Sequence, residues 1–311
     1  MSLTARRLLV CALIALLGDG PVPIAHATAA TGTRPTIGRA SGEKPARRSR
    51  RRARRRRLPP GGVVWARNAV VLDPATNEIL FDKNASAAVP IASLSKLMTT
   101  LVFLEQKPDL DQVVEVTRED LEGAGHTQLR NLEQASLRDL LHMSLMCSDN
   151  AATWVLARES GIPREDLLAA MNRKAVDLGL ARTRFVEFTG LDERNVSTAV
   201  DCARLLRAAA ANETIQEIMT TRAYEFRGEY RQRARRHAFS NTNRLLYGRY
   251  EVLGGKTGFI VEAGYCVATW IHTQGRDLIA VALGAPTPAT RFADVVRMVQ
   301  HTTESGAPPA P

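Results

Sequence analysis

Three short motifs in this chain contain the residue types that a serine-based acyl transfer needs. They are Ser93-Leu94-Ser95-Lys96, Ser148-Asp149-Asn150 and Lys256-Thr257-Gly258. A serine hydroxyl attacks a carbonyl only when a base takes its proton, and a lysine amine can be that base. A second lysine beside a threonine hydroxyl can bind a carboxylate. Together the motifs predict acyl-transfer chemistry that uses neither a histidine base nor a metal ion.

Ser93 and Lys96 stand three residues apart at the start of a predicted helix. Three residues is nearly one helical turn, so both side chains lie on the same face. Ser93 is therefore the candidate nucleophile and Lys96 the candidate base, if burial or another cation lowers the pKa of the amine. Lys256 is the candidate for that cation. Taken alone, the pair is typical of a capping serine followed by a surface lysine.

The second motif lies in a break between two predicted helices. The Ser148 hydroxyl can relay a proton to a leaving amine, and the Asn150 carboxamide can hold both a lysine and a substrate peptide group. Ser, Asp and Asn are also preferred helix caps, so a structural role is the alternative for this motif.

The third motif follows two glycines and precedes Phe259. Small residues such as Gly258 beside an edge strand let the backbone of a substrate approach the strand and pair with it. Lys256 and Thr257 can then bind a substrate carboxylate through charge and a hydroxyl group. Alone, this sequence is also typical of a glycine-rich turn with a solvated lysine.

Hydrophobic periodicity predicts the elements that must position these motifs. Hairpin patterns lie at 63–82 and 265–283, and a last helix is predicted at 292–301. The helical patterns between the hairpins cover residues 92–105, 137–145, 150–158, 166–179 and 200–211. Strands near both ends with helices between them indicate one sheet built from the two ends of the chain, plus a helical insertion.

Charge and hydropathy set the beginning of the chain apart. The net charge of the 311 residues is +10, but the basic excess lies within residues 1–57 and leaves the rest slightly acidic. Residues 1–27 have a basic start, a short apolar stretch and an Ala-His-Ala sequence, which predicts an export signal and a protein of the periplasm or cell envelope. The apolar stretch is too short for a membrane span, although an uncleaved signal is an alternative.

Residues 28–61 form an Arg-rich arm that is predicted to be disordered, because it has almost no large apolar residue. Arg47–Arg57 has nine arginines in eleven positions, which fits an anchor to an anionic envelope polymer or membrane surface, or a solvated tether. Nucleic-acid binding is disfavoured by the export signal and by the lack of interleaved aromatic residues. The predicted catalytic domain covers 62–301, and 302–311 is predicted to be a disordered tail.

The cysteines and histidines give no pattern of a disulfide framework or a metal site. Cys147, Cys202 and Cys266 remain after the export signal. Their number is odd, so at least one thiol is free, and all three are expected to be small buried hydrophobic residues. The six histidines form no ligand motif, so neither a catalytic metal nor a cofactor is expected.

The chain resembles the serine D-alanyl-D-alanine peptidases, the low-molecular-mass penicillin-binding proteins, over roughly residues 64–300. Besides the three motifs, the resemblance rests on the sequences at 90–99, 178–191, 241–246 and 255–266. It implies a mixed α/β fold of the β-lactamase and transpeptidase type. In that fold a five-stranded antiparallel sheet is flanked by helices, a helical subdomain is added, and the site lies in the cleft between them.

The resemblance also implies a role for each residue of the first two motifs. Ser93 would attack the carbonyl of the penultimate D-alanine of a peptidoglycan stem peptide and form an acyl-enzyme, with Lys96 as general base. Ser148 would help to pass the proton to the departing amine, and Asn150 would position Lys96 and the substrate. β-Lactam antibiotics would acylate the same serine as covalent inhibitors.

The third motif would hold the other side of the scissile bond. Lys256 and Thr257 would bind the carboxylate of the leaving residue, beside Gly258. The backbone N–H groups of Ser93 and Phe259 would form the oxyanion hole.

Two departures from the family pattern bear on the activity. Only about fifty residues follow the third motif, which is similar to the D,D-endopeptidase branch, and so is the sequence at 125–129. Glu187 stands where the family usually has Asn or Asp followed by Pro. The balance between carboxypeptidase and endopeptidase activity stays open.

Two other functions remain as alternatives. A serine β-lactamase uses the same three motifs, but it also needs a water-activating glutamate, and neither Glu187 nor Glu193 has that context. A catalytically silent cell-wall-binding protein fits the basic arm, but no motif residue has been lost.

Overall fold

The computed structural model describes residues 63–304. The predicted export signal, the Arg-rich arm and most of the predicted tail lie outside these residues. Within 63–304, no helix is long and apolar enough to cross a membrane.

The secondary structure alternates short strands with helices. The strands are β1 (Asn68–Leu72), β2 (Ile79–Lys83), β3 (Val89–Pro90), β4 (Val113–Glu115), β5 (Glu133–Ser136), β6 (Val196–Ser197), β7 (Ala223–Tyr230), β8 (Arg233–Ser240), β9 (Glu251–Ile260), β10 (Gly264–Thr273) and β11 (Arg276–Ala285). The helices are α1 (Ser95–Glu105), α2 (Arg118–Leu121), α3 (Leu137–His142), α4 (Asn150–Arg158), α5 (Arg164–Asp177), α6 (Ala199–Ala210), α7 (Glu213–Thr220) and α8 (Pro288–Glu304).

The main sheet has five antiparallel strands in the order β2-β1-β11-β10-β9, and it confirms the predicted fold class. Successive residues of its central strands point to opposite faces, as the strand period requires. Val70 and Val281 belong to the core on the helical side, whereas Val71 and Ala282 belong to a second core under α8. The two ends of the chain are thus joined in one sheet with β9 at its edge.

Helix α1 runs through the middle of the helical side. All its residues from Ser95 to Phe103 are buried, so its apolar surface is not confined to one stripe. A short 3-10 turn, Ala92–Leu94, leads into the helix and carries Ser93. The nucleophile candidate therefore sits on a turn that is fixed by a buried helix.

Two features depart from the predicted elements. The helix predicted at 137–145 ends at His142 and continues as a π-helical turn, Met143–Cys147, which is followed by Ser148 in the left-handed conformation at φ 65°. A second sheet, of four strands in the order β4-β5-β7-β8, was not predicted. Charged residues alternate along β7 and β8, and only one face of this hairpin is partly buried, so the hydrophobic signal of the two strands is weak.

Candidate active site

The structure brings the three sequence motifs together around two buried lysines. Lys96 Nζ lies 3.1 Å from Ser93 Oγ and donates a hydrogen bond of 2.6 Å to Asn150 Oδ1. Lys256 Nζ donates a hydrogen bond of 2.8 Å to Ser148 Oγ. The hydrogen bonds form two sets, Lys96 with Ser93 and Asn150, and Lys256 with Ser148. The two sets are close enough for the charge of Lys96 to act on Lys256, although their residues come from three distant parts of the chain.

The surroundings of Lys96 suit a neutral amine. Besides Asn150, the amine donates a 2.6 Å hydrogen bond to the Thr189 carbonyl oxygen. A neutral lysine amine has two N–H groups and one lone pair, whereas the ammonium ion has three donors and no acceptor. The ammonium form would donate its three N–H groups to Ser93 Oγ, Asn150 Oδ1 and the Thr189 carbonyl oxygen. The neutral form can keep its two N–H groups on Asn150 and Thr189 and turn its lone pair to the Ser93 hydroxyl.

Burial lowers the pKa of Lys96 to about 7, and the nearby carboxylates of Glu187 and Asp149 oppose part of that shift. Burial and the charge of Lys96 also lower the pKa of Lys256 well below its ordinary value. Of the two causes that the sequence left open for the lowered pKa of Lys96, burial or the charge of Lys256, burial is the main one in this structure.

In the second motif, Asp149 has a structural role and Asn150 contacts the candidate base. The Asp149 carboxylate caps α4 by accepting the Ala152 N–H at 3.0 Å, and it also accepts the Thr127 hydroxyl at 2.8 Å. The Asn150 amide donates to the Ala124 carbonyl oxygen at 2.8 Å, which turns its own oxygen toward Lys96. The cap is thus Asp149, while the residues on either side of it face the lysines.

Strand β9 carries the third motif past Ser93 at close range. A Cβ atom at Gly258 would lie 2.9 Å from the Ser93 backbone nitrogen, so only glycine lets the strand approach this far. The Thr257 hydroxyl lies 2.6 Å from the Thr242 hydroxyl. Phe259, which follows, is 47% exposed at the edge of the sheet. The backbone next to Ser93 is therefore open for a substrate strand to pair with β9.

Glu187 is a residue whose importance sequence reasoning missed. Its carboxylate accepts the backbone N–H groups of Thr189 at 2.6 Å and Gly190 at 2.5 Å. It also accepts the Thr189 hydroxyl at 2.7 Å and the Asn195 amide at 2.9 Å. These four hydrogen bonds fix the loop that presents the Thr189 carbonyl to Lys96. The departure from the family pattern at 187 was visible in the sequence, but the donors it meets were not.

Arg291 is a second residue that the sequence analysis did not single out. Its guanidinium donates to the Gly258 carbonyl oxygen at 3.1 Å and to the Cys266 carbonyl oxygen at 3.3 Å. It comes from α8 and supports β9 from behind. A surface groove of about 550 Å³ beside it is also lined by Thr242 and Arg244. This places two further cations close to the third motif.

The three described cysteines are free thiols. Cys202 and Cys266 are buried as predicted, whereas Cys147 is half-buried. Burial raises the pKa of the Cys147 thiol to about 12 and that of Cys266 to about 11. Thiols with such pKa values are protonated and poorly nucleophilic at neutral pH.

Comparisons with known proteins agree with the geometry. The family model for D-alanyl-D-alanine carboxypeptidases matches residues 56–287. A D-alanyl-D-alanine endopeptidase of Pseudomonas aeruginosa is 37% identical over 74% of this chain and 75% of its own length. The D-alanyl-D-alanine endopeptidase of Escherichia coli is 34% identical over the same shares of the two chains.

Solved structures show the same fold. The Streptomyces K15 DD-transpeptidase superposes with a TM-score of 0.73 at 25% identity, covering 78% of this chain and 99% of its own. Penicillin-binding protein D2 of Listeria monocytogenes, in its cefotaxime-bound form, has a TM-score of 0.67 at 30% identity, covering 78% and 98%. With its serine and two lysines in one cluster and a family match over most of its length, the chain belongs to the D-alanyl-D-alanine carboxypeptidase family of serine hydrolases.

Proposed function

We propose that this chain cleaves D-alanyl bonds of peptidoglycan stem peptides through an acyl-enzyme on Ser93. The observation that carries this proposal is the buried Lys96 amine, 3.1 Å from Ser93 Oγ, with its N–H groups held by Asn150 and Thr189. The amine is poised to accept a proton from the hydroxyl, which is what an unactivated serine needs.

The acylation step follows from these positions. Lys96 takes the proton of the Ser93 hydroxyl while Oγ bonds to the carbonyl carbon of the D-alanyl residue. The developing oxyanion accepts hydrogen bonds from the backbone N–H groups of Ser93 and Phe259. Collapse of the intermediate breaks the C–N bond, and the proton that Lys96 took from Ser93 passes through the Ser148 hydroxyl to the leaving amine, which returns Lys96 to its neutral form. Water then attacks the ester and gives its proton to Lys96, and the Ser93 oxygen takes that proton as the ester bond breaks.

The carboxylate of the leaving residue has a second effect in this scheme. Lys256 forms no ion pair with a carboxylate of residues 63–304, and burial favours its neutral form. A substrate carboxylate bound by Lys256 and Thr257 favours the charged form of that lysine. The charged Lys256 then lowers the pKa of Lys96, so substrate binding itself prepares the base.

We infer that cross-linked stem peptides are substrates, in line with the endopeptidase relatives at 37% and 34% identity. The test is incubation of the purified protein with a cross-linked muropeptide dimer and, separately, with a free pentapeptide. Conversion of the dimer to monomers, lost in the Ser93→Ala variant, is the expected result. Release of D-alanine from the pentapeptide alone would show a carboxypeptidase instead.

We propose that β-lactams acylate Ser93, as suggested by the cefotaxime-bound relative. The structure favours a long-lived adduct over a β-lactamase, since Glu187 is fully engaged with loop donors. A β-lactamase would need a carboxylate free to activate water. Slow turnover of a chromogenic cephalosporin is therefore expected.

We also propose that the protein is exported and acts in the periplasm or cell envelope, with residues 62–301 as the catalytic domain. The Arg-rich arm at 28–61 would hold the domain near anionic envelope polymers or the membrane surface through Arg47–Arg57. Deleting residues 44–57 should abolish salt-sensitive retention on cell envelopes. Unchanged retention would leave the arm as a tether alone.

A further inference from the structure

A surface groove of about 740 Å³ lies at the tip of the β7–β8 hairpin. Its arginines are Arg130, Arg231, Arg233, Arg235 and Arg236. The sequence from residue 58 onward carries a slightly negative net charge, so this groove is a local concentration of positive charge on an otherwise mildly acidic domain. Such a concentration attracts anionic ligands.

Three of these arginines have no acidic partner. Arg235 pairs with the buried Glu133 at 2.7 Å, and Arg236 pairs with Glu225 at 2.5 Å. Arg130, Arg231 and Arg233 form no ion pair with any carboxylate of residues 63–304, and all three are exposed. Their guanidinium groups are therefore available to an external anion.

Two of the three are held against one aromatic ring. The guanidinium carbons of Arg130 and Arg231 lie 5.3 and 5.2 Å from the centre of the Tyr230 ring. Arg231 and Gln232 form the tight turn of the hairpin with φ values of 51° and 60°, where Asn-Gly is the favoured pair. Two guanidinium groups thus lie beside the same ring next to the hairpin turn, and a bound anion would offset their positive charge.

The groove is connected to the catalytic cluster by the loop 124–132. At one end of this loop, the Thr127 hydroxyl donates to Asp149. One residue later, the Gln128 carbonyl accepts a 2.6 Å hydrogen bond from Arg235. Arg130, which stacks on Tyr230, is three residues from Thr127, and three extended residues span at most about 10 Å. The loop that lines the groove through Arg130 is therefore the same loop that contacts Asp149 of the second motif.

Among the residues that the structure describes, no carboxylate lines the groove. Besides its five arginines, the lining consists of Tyr230 and Ala234, and Glu229 is not part of it.

We propose that this groove is a secondary binding site for carboxylates of polymeric peptidoglycan, distinct from the carboxylate grip of Lys256 and Thr257. The inference rests on the proposed function, because it takes peptidoglycan peptides as the substrate. A membrane surface fits less well, since the groove is concave and its lining includes no exposed large apolar side chain.

The test compares two triple variants of the full chain with the same loss of charge. In the groove variant, Arg130, Arg231 and Arg233 are replaced by Gln, and in the control the exposed Arg118, Arg173 and Arg227 are replaced by Gln. Both keep residues 1–62, so the contribution of the Arg-rich arm is equal. The groove variant should digest purified sacculi roughly tenfold more slowly at low ionic strength, the loss expected of three exposed ion pairs. The difference should shrink at high ionic strength.

The second-order rate of acylation by benzylpenicillin should be unchanged in both variants, because this small ligand does not reach the groove. Lysine at the three groove positions should restore most of the sacculus activity. The proposal would be overturned if the control variant lost as much sacculus digestion as the groove variant. It would also be overturned if the groove variant kept the parent rate of sacculus digestion with normal acylation. Weaker binding to phosphatidylglycerol vesicles with unchanged sacculus digestion would assign it to the membrane instead. Absence of acylation of the parent chain by benzylpenicillin would contradict the proposed function itself.

Discussion

A lysine serves as a base near neutral pH only if the protein keeps its amine uncharged, and the residues around Lys96 do this by burial and by geometry. Burial lowers the pKa to about 7. The oxygen atoms of Asn150 and Thr189 lie where the two N–H groups of a neutral amine can be used. Burial of Lys96 disfavours its charged form, and the neutral amine has a lone pair that can accept the proton of the Ser93 hydroxyl.

The pH dependence of acylation should report this amine. Since only the neutral form of Lys96 accepts the proton, the second-order rate constant for benzylpenicillin should rise with pH and level off above a midpoint near pH 7. Below the midpoint it should fall about tenfold per pH unit. A Lys96→Arg variant should be at least about a thousandfold slower, because a guanidinium does not lose its proton. A flat profile between about pH 5 and pH 9 would contradict this role.

Glu187 acts on Lys96 through charge as well as through the loop. Its carboxylate opposes the lowering of the Lys96 pKa, so Glu187→Gln should move the midpoint of the pH profile to lower pH. The maximal rate should fall by about tenfold, because the amide cannot accept all four donors. Measuring the same profile for the exposed Glu193→Gln provides the control. A midpoint that shifts upward, or stays in place, would show that Glu187 does not act on the base.

At the scale of elements, the close approach of β9 to the turn before α1 determines the width of the site. Gly258 allows the approach, and Arg291 holds the strand from behind. The π-helical turn at Met143–Cys147 and the left-handed Ser148 that follows it aim the Ser148 hydroxyl at Lys256. Local irregularities of this kind are common at functional sites.

Gly258→Ala should therefore affect catalysis more than folding. The new Cβ would lie 2.9 Å from the Ser93 nitrogen, so β9 must move away and the oxyanion donors separate. A loss of about a hundredfold in kcat/KM on a muropeptide is expected. Gly248→Ala is the matched control, since its Cβ would lie 3.4 Å from its nearest neighbour. Equal rates for the two variants would mean that the approach of β9 is not required.

The sequence predicted the elements with strong apolar periodicity and missed those without it. The helix predicted at 150–158 has these bounds in the structure, and β10 and β11 lie where apolar runs indicated strands. The β7–β8 hairpin was not predicted, because only a few of its side chains are buried, among them Phe226 and His237. The motif residues were readable from their types and order. Glu187 and Arg291 were not, because their partners are backbone groups that only the tertiary fold brings near.

The fold of residues 63–304 depends on contacts between its first residues and its last helix. Asp294 on α8 is fully buried and accepts the backbone N–H groups of Trp65 at 3.0 Å and Ala66 at 2.7 Å. The other carboxylate oxygen of Asp294 forms an ion pair with the guanidinium of Arg297 at 2.8 Å. These contacts join the first described residues to the last helix, over a sequence separation of 228 residues in one case. The sheet and the site on its edge depend on this closure.

Asp294→Ala should destabilise the domain without touching the chemistry. One buried and one partly buried N–H group and one guanidinium would lose their acceptor, so the free energy of unfolding in urea should fall by about 2–4 kcal/mol. Asp111→Ala, which removes an exposed ion pair with Arg138, should change it by less than about 0.5 kcal/mol. The folded fraction of the Asp294 variant should still be acylated at the parent rate. Similar stabilities for the two variants would show that the link between the chain ends is unimportant.

The central claim is that Ser93 forms a covalent acyl-enzyme, and intact mass measured over time with benzylpenicillin tests it most directly. A mass increase equal to one benzylpenicillin, persistent for minutes or longer and absent in Ser93→Ala, is the predicted result. Rapid consumption of the drug without a lasting adduct would identify a β-lactamase. An adduct that persists in the Ser93→Ala variant, or no reaction at all, would contradict the claim.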